Sequence, residues 1–510
     1  ANLTGFLGVE IEAVRRARVY LTFDEIATDG FRDGGLGDVD WKRLGCVNVV
    51  ALELEPGRHR FESFEPYTLR YCKVLVASGD LTLERLWLRE LANPEVDAAR
   101  FASSDRRLNR LFEAGKETFR QNAVDLFMDC PSRERAGWLC DSFFTARVAA
   151  WFGDAAIERN FLENFALPES FAGLPKGMLP MCYPADHPDR VFIPNWALWF
   201  VVQLEEYLAR TGDRELIERL RARVTDLFAF LERYRNEDGL LEKLPGWVFV
   251  EWSKANDWVQ DVNYPSNMLF ARALDVAGRL YDRADWREGS AKVRAVVAKQ
   301  SFDGRFFVDN AVRRDGKLSR TDNRSEVCQY FAFYFGTATP SSHPELWRTL
   351  REGFGPERRR TRAYPEVAPA NAFVGNVLRL ELLSREGRTR QLLEESVGYQ
   401  LYMAERTGTL WENDGDYASC NHGFASHVVH VLYRDVLGLK DVDPVTRRVT
   451  LRFGDSGTEW CEGSVPVPGG RVGVSWWKEG DGFRYRLQVP EGYRVLREAP
   501  SSGTWTPTFD

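Results

Sequence analysis

The 510-residue chain lacks most of the marks that assign a protein at sight. No CxxC occurs among its 8 cysteines, so neither a zinc ribbon nor a dense disulfide framework is encoded. No GxGxxG and no GxxxxGKS/T appears, which removes the common dinucleotide and nucleoside-triphosphate cradles. "GRHRFESF" carries Arg and His without phosphate-loop spacing. No apolar run is long enough to cross a bilayer, so no membrane partner is expected. The opening "ANLTGFLGVEIEAVRR" lacks the basic-then-apolar pattern of a leader. It also lacks an initiator Met and enters a strand-like run at once, so the chain is read as trimmed and the missing leader carries little weight. Positive charge is in deficit: 68 Lys and Arg against 75 Asp and Glu give a net charge of −7, which offers nothing to a nucleic acid. Scattered cysteines read as mostly free, buried thiols of a reducing compartment, hence a cytoplasmic location, with a periplasmic or secreted one as the alternative for a trimmed chain.

What the chain has in plenty is aromatic residues: 16 Trp, 17 Tyr and 33 Phe. Many tryptophans sit in polar stretches such as "GWVFVEWSKANDWV" and "TGTLWEND". A sugar has an apolar ring face and a rim of hydroxyls, which Trp together with Asp, Glu, Arg and His can hold. The same tryptophans also suit the pinning of long loops.

Periodicity divides the chain in three. Residues 1–95 alternate with period two between Gly, Pro and Asp turns, which predicts an antiparallel β-sandwich. Residues 96–440 carry twelve helical segments, the first opening on a Ser-rich cap near Ser104. Their links alternate in length. Short ones fall at 153–154, 211–213, 282–285, 338–343 and 385–387, and long ones near 123–137, 167–194, 236–264, 301–324, 354–370 and 404–420. Short links join antiparallel neighbours, so the alternation predicts a mainly α fold, an (α/α)6 six-hairpin barrel with every long link at one end. A solenoid of helix pairs competes, but no repeat of fixed period is present. Residues 441–510 return to alternation and predict a second β-sandwich.

The long links hold the chemistry. The first is "DCPSRERAGWLCD", with Asp129, Arg133, Glu134, Trp138 and Asp141. The second adds Asp186, His187, Asp189, Asn195 and Trp196; the third, Trp247, Glu251, Trp252 and Asp257; the last, Trp411, Glu412, Asp414, Asp416 and His422. Hydrolysis of a glycoside needs two carboxyl groups in different surroundings, one to protonate the leaving oxygen and one to activate water or attack the sugar. Glu134 and Glu412 are the candidates. Asp129, Glu134 and Asp141 beside a helix start also suit its dipole, worth about 0.3–1 kcal/mol each. Glu412 taken alone is a solvated loop acid, so cap and active site both remain open. Cys130 and Cys140 have no adjacent His to make a thiolate nucleophile. His427 and His430 share a helix face but sit in an apolar run, which favours core packing over a metal site. No metal and no cofactor is called for.

"DCPSRERAGWLCD" resembles the signature of bacterial α-L-rhamnosidases, glycoside hydrolase family 78. "GTLWE" resembles the family's second acidic motif, and "SCNHGFASHVVHVLYRDVLGL" the segment after it. The likeness runs over about 60–490. It implies an (α/α)6 barrel flanked by β-sandwiches and hydrolysis with inversion. It implies Glu134 as general acid and Glu412 as the base that activates water. Asp129, Arg133, Trp138 and Asp141 match residues that hold the terminal rhamnose, His422 matches a sugar-binding histidine, and Trp196 and Trp252 match pocket tryptophans. Glu251 and Trp411 join the expected binding set. The chain departs from the pattern at Val250-Glu251-Trp252, where the family has Gly-Asp-Trp, and at Ala136, Leu139 and Cys140. The expected partner is therefore a carbohydrate carrying terminal rhamnose or a related deoxysugar, with a homodimer as one assembly. Another sugar, a polysaccharide lyase, or sugar binding without turnover are the competing readings.

Overall fold

The computed structural model describes residues 1–28, 38–153, 155–185, 190–371 and 373–508, and of Arg359 the backbone only. Period-two patterning builds the first element. In β1 (Leu3–Asp24), Leu7, Val9, Ile11, Ala13, Val19, Leu21 and Phe23 are buried, while Glu12, Val14 and Arg18 are exposed. One edge of β1 pairs with β4 (Tyr71–Glu90). The other is shared by β3 (Gly57–Leu69) and β2 (Val49–Leu54). The sequence predicts a sandwich here, whereas the described residues form one antiparallel sheet with β1 at its centre. The reason is length: β1 runs for 22 residues, enough to serve three partners in one layer.

Twelve long helical segments follow among the described residues. They are α1 (Arg106–Asn122), α2 (Leu139–Phe152), α3 (Ala155–Asn164), α4 (Pro194–Thr211), α5 (Arg214–Glu232), α6 (Tyr264–Leu280), α7 (Ala284–Ser301), α8 (Glu326–Tyr334) and α9 (Pro344–Gly353). After a single turn, α10 (Arg358–Thr361), come α11 (Gly375–Arg385) and α12 (Thr389–Thr407). The terminal helix passes from a 3-10 turn (Gly423–His427) through Val428–Val431 into a π segment (Leu432–Leu437). The cap of α1 is Asp105, whose side chain accepts from Arg107 N, one residue beyond the predicted Ser104.

Two kinds of helix alternate. α2, α4, α6, α8 and α11 are buried almost all round, as a helix apolar on every face must be. They touch in that order, and the terminal helix packs on α2. The terminal helix reaches α11 through Arg434–Glu381 at 2.9 Å and Ser384–Asp435 at 2.6 Å. The six inner helices thus follow one another in a cycle. α3, α5, α7, α9 and α12 each follow an inner helix after a short link, four of which hold a left-handed glycine: Gly153, Gly212, Gly336 and Gly387. α1 packs against the terminal helix, so the first and last segments make the sixth pair. Each inner helix is entered from a long link, which gathers the long links at one end.

The described C-terminal residues form a five-stranded sheet and a three-stranded one. One strand of the larger sheet comes from outside that region: β5 (Arg100–Ser103), inside the predicted helical span, pairs with Trp460–Val467. Trp476 Nε1 donates to Val436 O at 3.1 Å and ties this sheet to the terminal helix. No helix among the described residues is long and apolar enough to cross a membrane. All eight cysteines are free thiols, six of them buried.

Candidate active site

The residues between α1 and α2 form a closed loop, after which Asp141 stands in the first turn of α2. Asp129 N donates to Ala136 O and Ala136 N donates back to Asp129 Oδ1, both at 3.0 Å, which throws Arg133 and Glu134 to the tip. Trp138 is the N-cap of α2 and makes no capping bond through its side chain. Gly137 is required by closeness, since a Cβ there would sit 2.5 Å from Tyr183 O. The loop after α12 is closed in the same manner: Glu412 N donates to Ser419 O at 3.0 Å and His422 N to Leu410 O at 2.9 Å. The two loops meet where Gly423 N donates to Asp129 O at 2.7 Å.

Together they floor a cavity of about 580 Å³. Nine of the residues given a catalytic or binding role from sequence line it: Asp129, Arg133, Glu134, Trp138, Asp141, Trp196, Trp252, Glu412 and His422. Arg133 lies between the two glutamates. Its Nε is 2.5 Å from Glu134 Oε1 and its Nη2 is 3.4 Å from Glu412 Oε2. His422 Nε2 is 3.0 Å from Asp141 Oδ1, and its Nδ1 is 3.1 Å from Ser419 Oγ and 4.0 Å from Glu412 Oε2. The far wall is aromatic. Trp196 meets Phe249 edge-on at 4.8 Å, and Phe249 meets Trp252 at 4.7 Å. Trp196 Nε1 is buried without a hydrogen-bond partner in the protein.

The acids titrate unequally. Burial and the neighbouring Glu134 carboxylate push Asp129 well above the usual carboxylate range. Burial would raise Glu134 too, but the influence of the neighbouring Asp129 carboxyl, with Arg133 and His422 close by, holds it below its ordinary value. Asp141 is raised by burial, against the pull of His422. Burial lowers His422, yet Asp141 and the charges of Glu412 and Glu134 outweigh it and favour the imidazolium. Crowded acids of opposed tendency are what proton-transfer chemistry requires.

Two predicted binding residues face elsewhere. Glu251 is wholly buried behind the aromatic wall, where Oε1 accepts from Asn371 N at 3.1 Å and Oε2 from Gly375 N at 2.9 Å. Trp411 is buried too and donates from Nε1 to Thr407 Oγ1 at 2.8 Å. Asn195 is buried against Ser266, Asp257 pairs with Lys254, and Asp416 with Arg406. Asp186, His187 and Asp189 lie outside the described residues. Sequence reasoning missed Phe249, Phe373, Asn413 and Tyr417 from the lining, and left Trp247 in its loop without a role. Trp247 and Phe249 share the tryptophan-rich stretch and carried a signal. Phe373 sits in an apolar run before α11 and carried none.

Glu251 supports a pH prediction. Burial lifts its carboxyl to about 8, against the two backbone donors, from an ordinary 4.5. With its folded value above the unfolded one, the native state holds the extra proton between those limits. Stability therefore falls as pH rises from about 4.5 towards 8. Glu251→Gln removes that component, so the difference in melting temperature between variant and wild type should shift steadily across this range. A constant difference would show that Glu251 does not titrate there.

Residues 96–436 match the model of the bacterial alpha-L-rhamnosidase 6 hairpin glycosidase domain. An α-L-rhamnosidase of Alteromonas sp. (strain LOR) is 21% identical over 420 residues, covering 76% of this chain and 43% of that protein. Among solved structures, the GH78 family rhamnosidase of Bacillus sp. GL1 superposes with a TM-score of 0.86 at 21% identity, over 100% of this chain and 53% of that one. A rhamnosidase from Klebsiella oxytoca with rhamnose bound gives 0.66 at 17% identity, over 85% of this chain and 86% of that one. The chain spans about half the length of the first two relatives. At such identities the structural likeness establishes the fold.

Proposed function

Because the chain belongs to the bacterial α-L-rhamnosidase six-hairpin glycosidase family, we propose that it is an inverting exo-glycosidase that releases terminal α-L-rhamnose, or a related deoxysugar, from a glycoside. The inner and outer helices are read as an (α/α)6 barrel with the cavity at its long-link end. Glu134 acts as general acid and Glu412 as the base that takes a proton from water. The observation that carries this reading is Arg133, whose guanidinium contacts both carboxylates at the floor of an aromatic-walled cavity. A guanidinium interposed between two acids suits a pair that stands apart and leaves room for water, as inversion needs.

The remaining lining divides by chemistry. Asp129, Asp141 and His422 offer polar partners to hydroxyls, and the unpartnered Trp196 Nε1 offers one donor. Phe249, Trp252 and Phe373 offer an apolar face to ring carbons and to the methyl group of a 6-deoxysugar. Glu134 passes its proton to the leaving oxygen, and the neighbouring Asp129, whose carboxyl burial pushes up, favours a proton at that end of the site. The test is proton NMR during hydrolysis of an aryl α-L-rhamnoside, where the first product should be the β-anomer. First release of the α-anomer would overturn inversion. Calorimetric binding of sugar with no release from any aryl glycoside would overturn the enzyme.

A further inference from the structure

Both acid-bearing loops are held from behind by the N-terminal sheet. Arg43 follows β1, and only 9% of its side chain is exposed. Its Nε lies 2.7 Å from Asp24 Oδ2 and its Nη2 2.6 Å from Glu25 Oε2. The third nitrogen leaves the sheet: Nη1 donates to Ala418 O at 2.7 Å and to Asp416 O at 3.1 Å. Glu25 Oε2 also accepts from Cys420 N at 3.0 Å. These acceptors and the donor lie on the one loop that begins at Glu412 and ends at His422. On the other loop, Arg135 next to Glu134 donates from Nη1 to Pro66 O at 3.1 Å and from Nη2 to Glu65 Oε2 at 2.9 Å. Pro66 and Glu65 belong to β3.

We propose that the N-terminal sheet is a positioning device for both carboxylates of the pocket, with Arg43 setting the Glu412 loop and the Arg135–Glu65 contact setting the Glu134 loop. The proposal rests on the reading of Glu134 and Glu412 as acid and base. Burying a guanidinium with two carboxylates is costly unless every group finds partners. Here the partner set is complete only when the carbonyls of Asp416 and Ala418 are in place, so sheet and loop order each other. Simple docking of a sheet on a helical body needs no such buried charge. An error of about 1 Å in the placing of a catalytic group costs on the order of 10²-fold in rate, which gives such a device its value.

Arg43→Lys is the test. It keeps a positive charge between Asp24 and Glu25, but one ammonium cannot span those acids and both carbonyls. Hydrogen exchange of the peptide covering 412–422 should quicken by about tenfold or more, since its local opening is no longer opposed. On an aryl α-L-rhamnoside kcat should fall by roughly 10- to 100-fold with KM changed less than about threefold. Glu65→Ala should act in the same direction through the other loop. Arg58→Ala, which breaks an exposed pair on the same sheet, should change neither quantity. Unchanged exchange at 412–422 in Arg43→Lys would overturn the proposal, as would a rate loss no larger than that of Arg58→Ala. If the wild type releases no sugar, the proposed activity fails, while hydrogen exchange still decides the bracket. Should Arg43→Lys not fold, Asp24→Asn/Glu25→Gln/Arg43→Met removes all three charges together and is read by the same exchange measurement.

Discussion

Glu412→Gln should lower turnover by about 10²–10⁴-fold on every substrate, whatever its leaving group. In a single displacement the base acts on the attacking water, on the face opposite the leaving group, so an activated aglycone does not replace it. Glu134→Gln should behave differently. A nitrophenolate leaves with little protonation, so turnover on a nitrophenyl α-L-rhamnoside should suffer far less than turnover on a rhamnose-containing disaccharide. The ratio of the two losses in each variant is the quantity to measure. Equal ratios for Glu412→Gln and Glu134→Gln would remove the division of roles. A reversed pattern, with Glu412→Gln rescued by the activated aglycone, would exchange them. The surroundings favour the assignment as given. Glu134 lies beside the buried Asp129, whose carboxyl is pushed up and so favours a proton at that end of the site, whereas Glu412 Oε2 lies 3.4 Å from Arg133 Nη2 and 4.0 Å from His422 Nδ1.

Much of this site was legible because loops of fixed sequence are placed by the helices around them. The alternation of link lengths puts "DCPSRERAGWLCD" and "TGTLWEND" at one end of the helical body, and the structure joins them through Gly423 N and Asp129 O. What alternation cannot supply is direction within a loop, where no period relates neighbouring residues. Glu251 and Trp252 are adjacent in sequence, yet Glu251 turns inward to Asn371 and Gly375 while Trp252 turns to the cavity. Trp411 and Glu412 divide in the same way, with Trp411 anchoring the loop that presents Glu412. Pairing between distant strands was equally invisible. Nothing local in Arg100–Ser103 names Trp460–Val467 as its partner, and the length of β1 is hidden by the exposed "VRR" in its middle.

Glu381→Ala should cost about 3–5 kcal/mol and lower the melting temperature by many degrees, because it strands buried charge. Glu381 lies on α11 with Arg434 Nη1 at 2.9 Å, Arg147 Nη1 at 3.2 Å and His427 Nε2 at 3.2 Å. Arg147 comes from α2 and Arg434 from the terminal helix, so this one carboxylate ties three inner helices at the seam where the cycle of helices closes. The histidines that sequence analysis assigned to core packing are engaged here. His430 Nδ1 accepts from Trp151 Nε1 at 2.7 Å, and its Nε2 lies 2.9 Å from Arg434 Nη1. Burial would raise the Glu381 carboxyl, but Arg434 and Arg147, with His427, hold it well below its ordinary 4.5. A folded value below the unfolded one means that its contribution is complete above that ordinary value and is lost only as pH falls through the folded value. Glu381→Ala should therefore lie below wild type by a constant margin at neutral pH, and the two should converge only in strong acid. Glu381→Gln separates charge from shape: it keeps the volume but not the charge, so most of the loss should persist. A glutamine variant as stable as wild type would mean that packing, not the ion cluster, closes the seam.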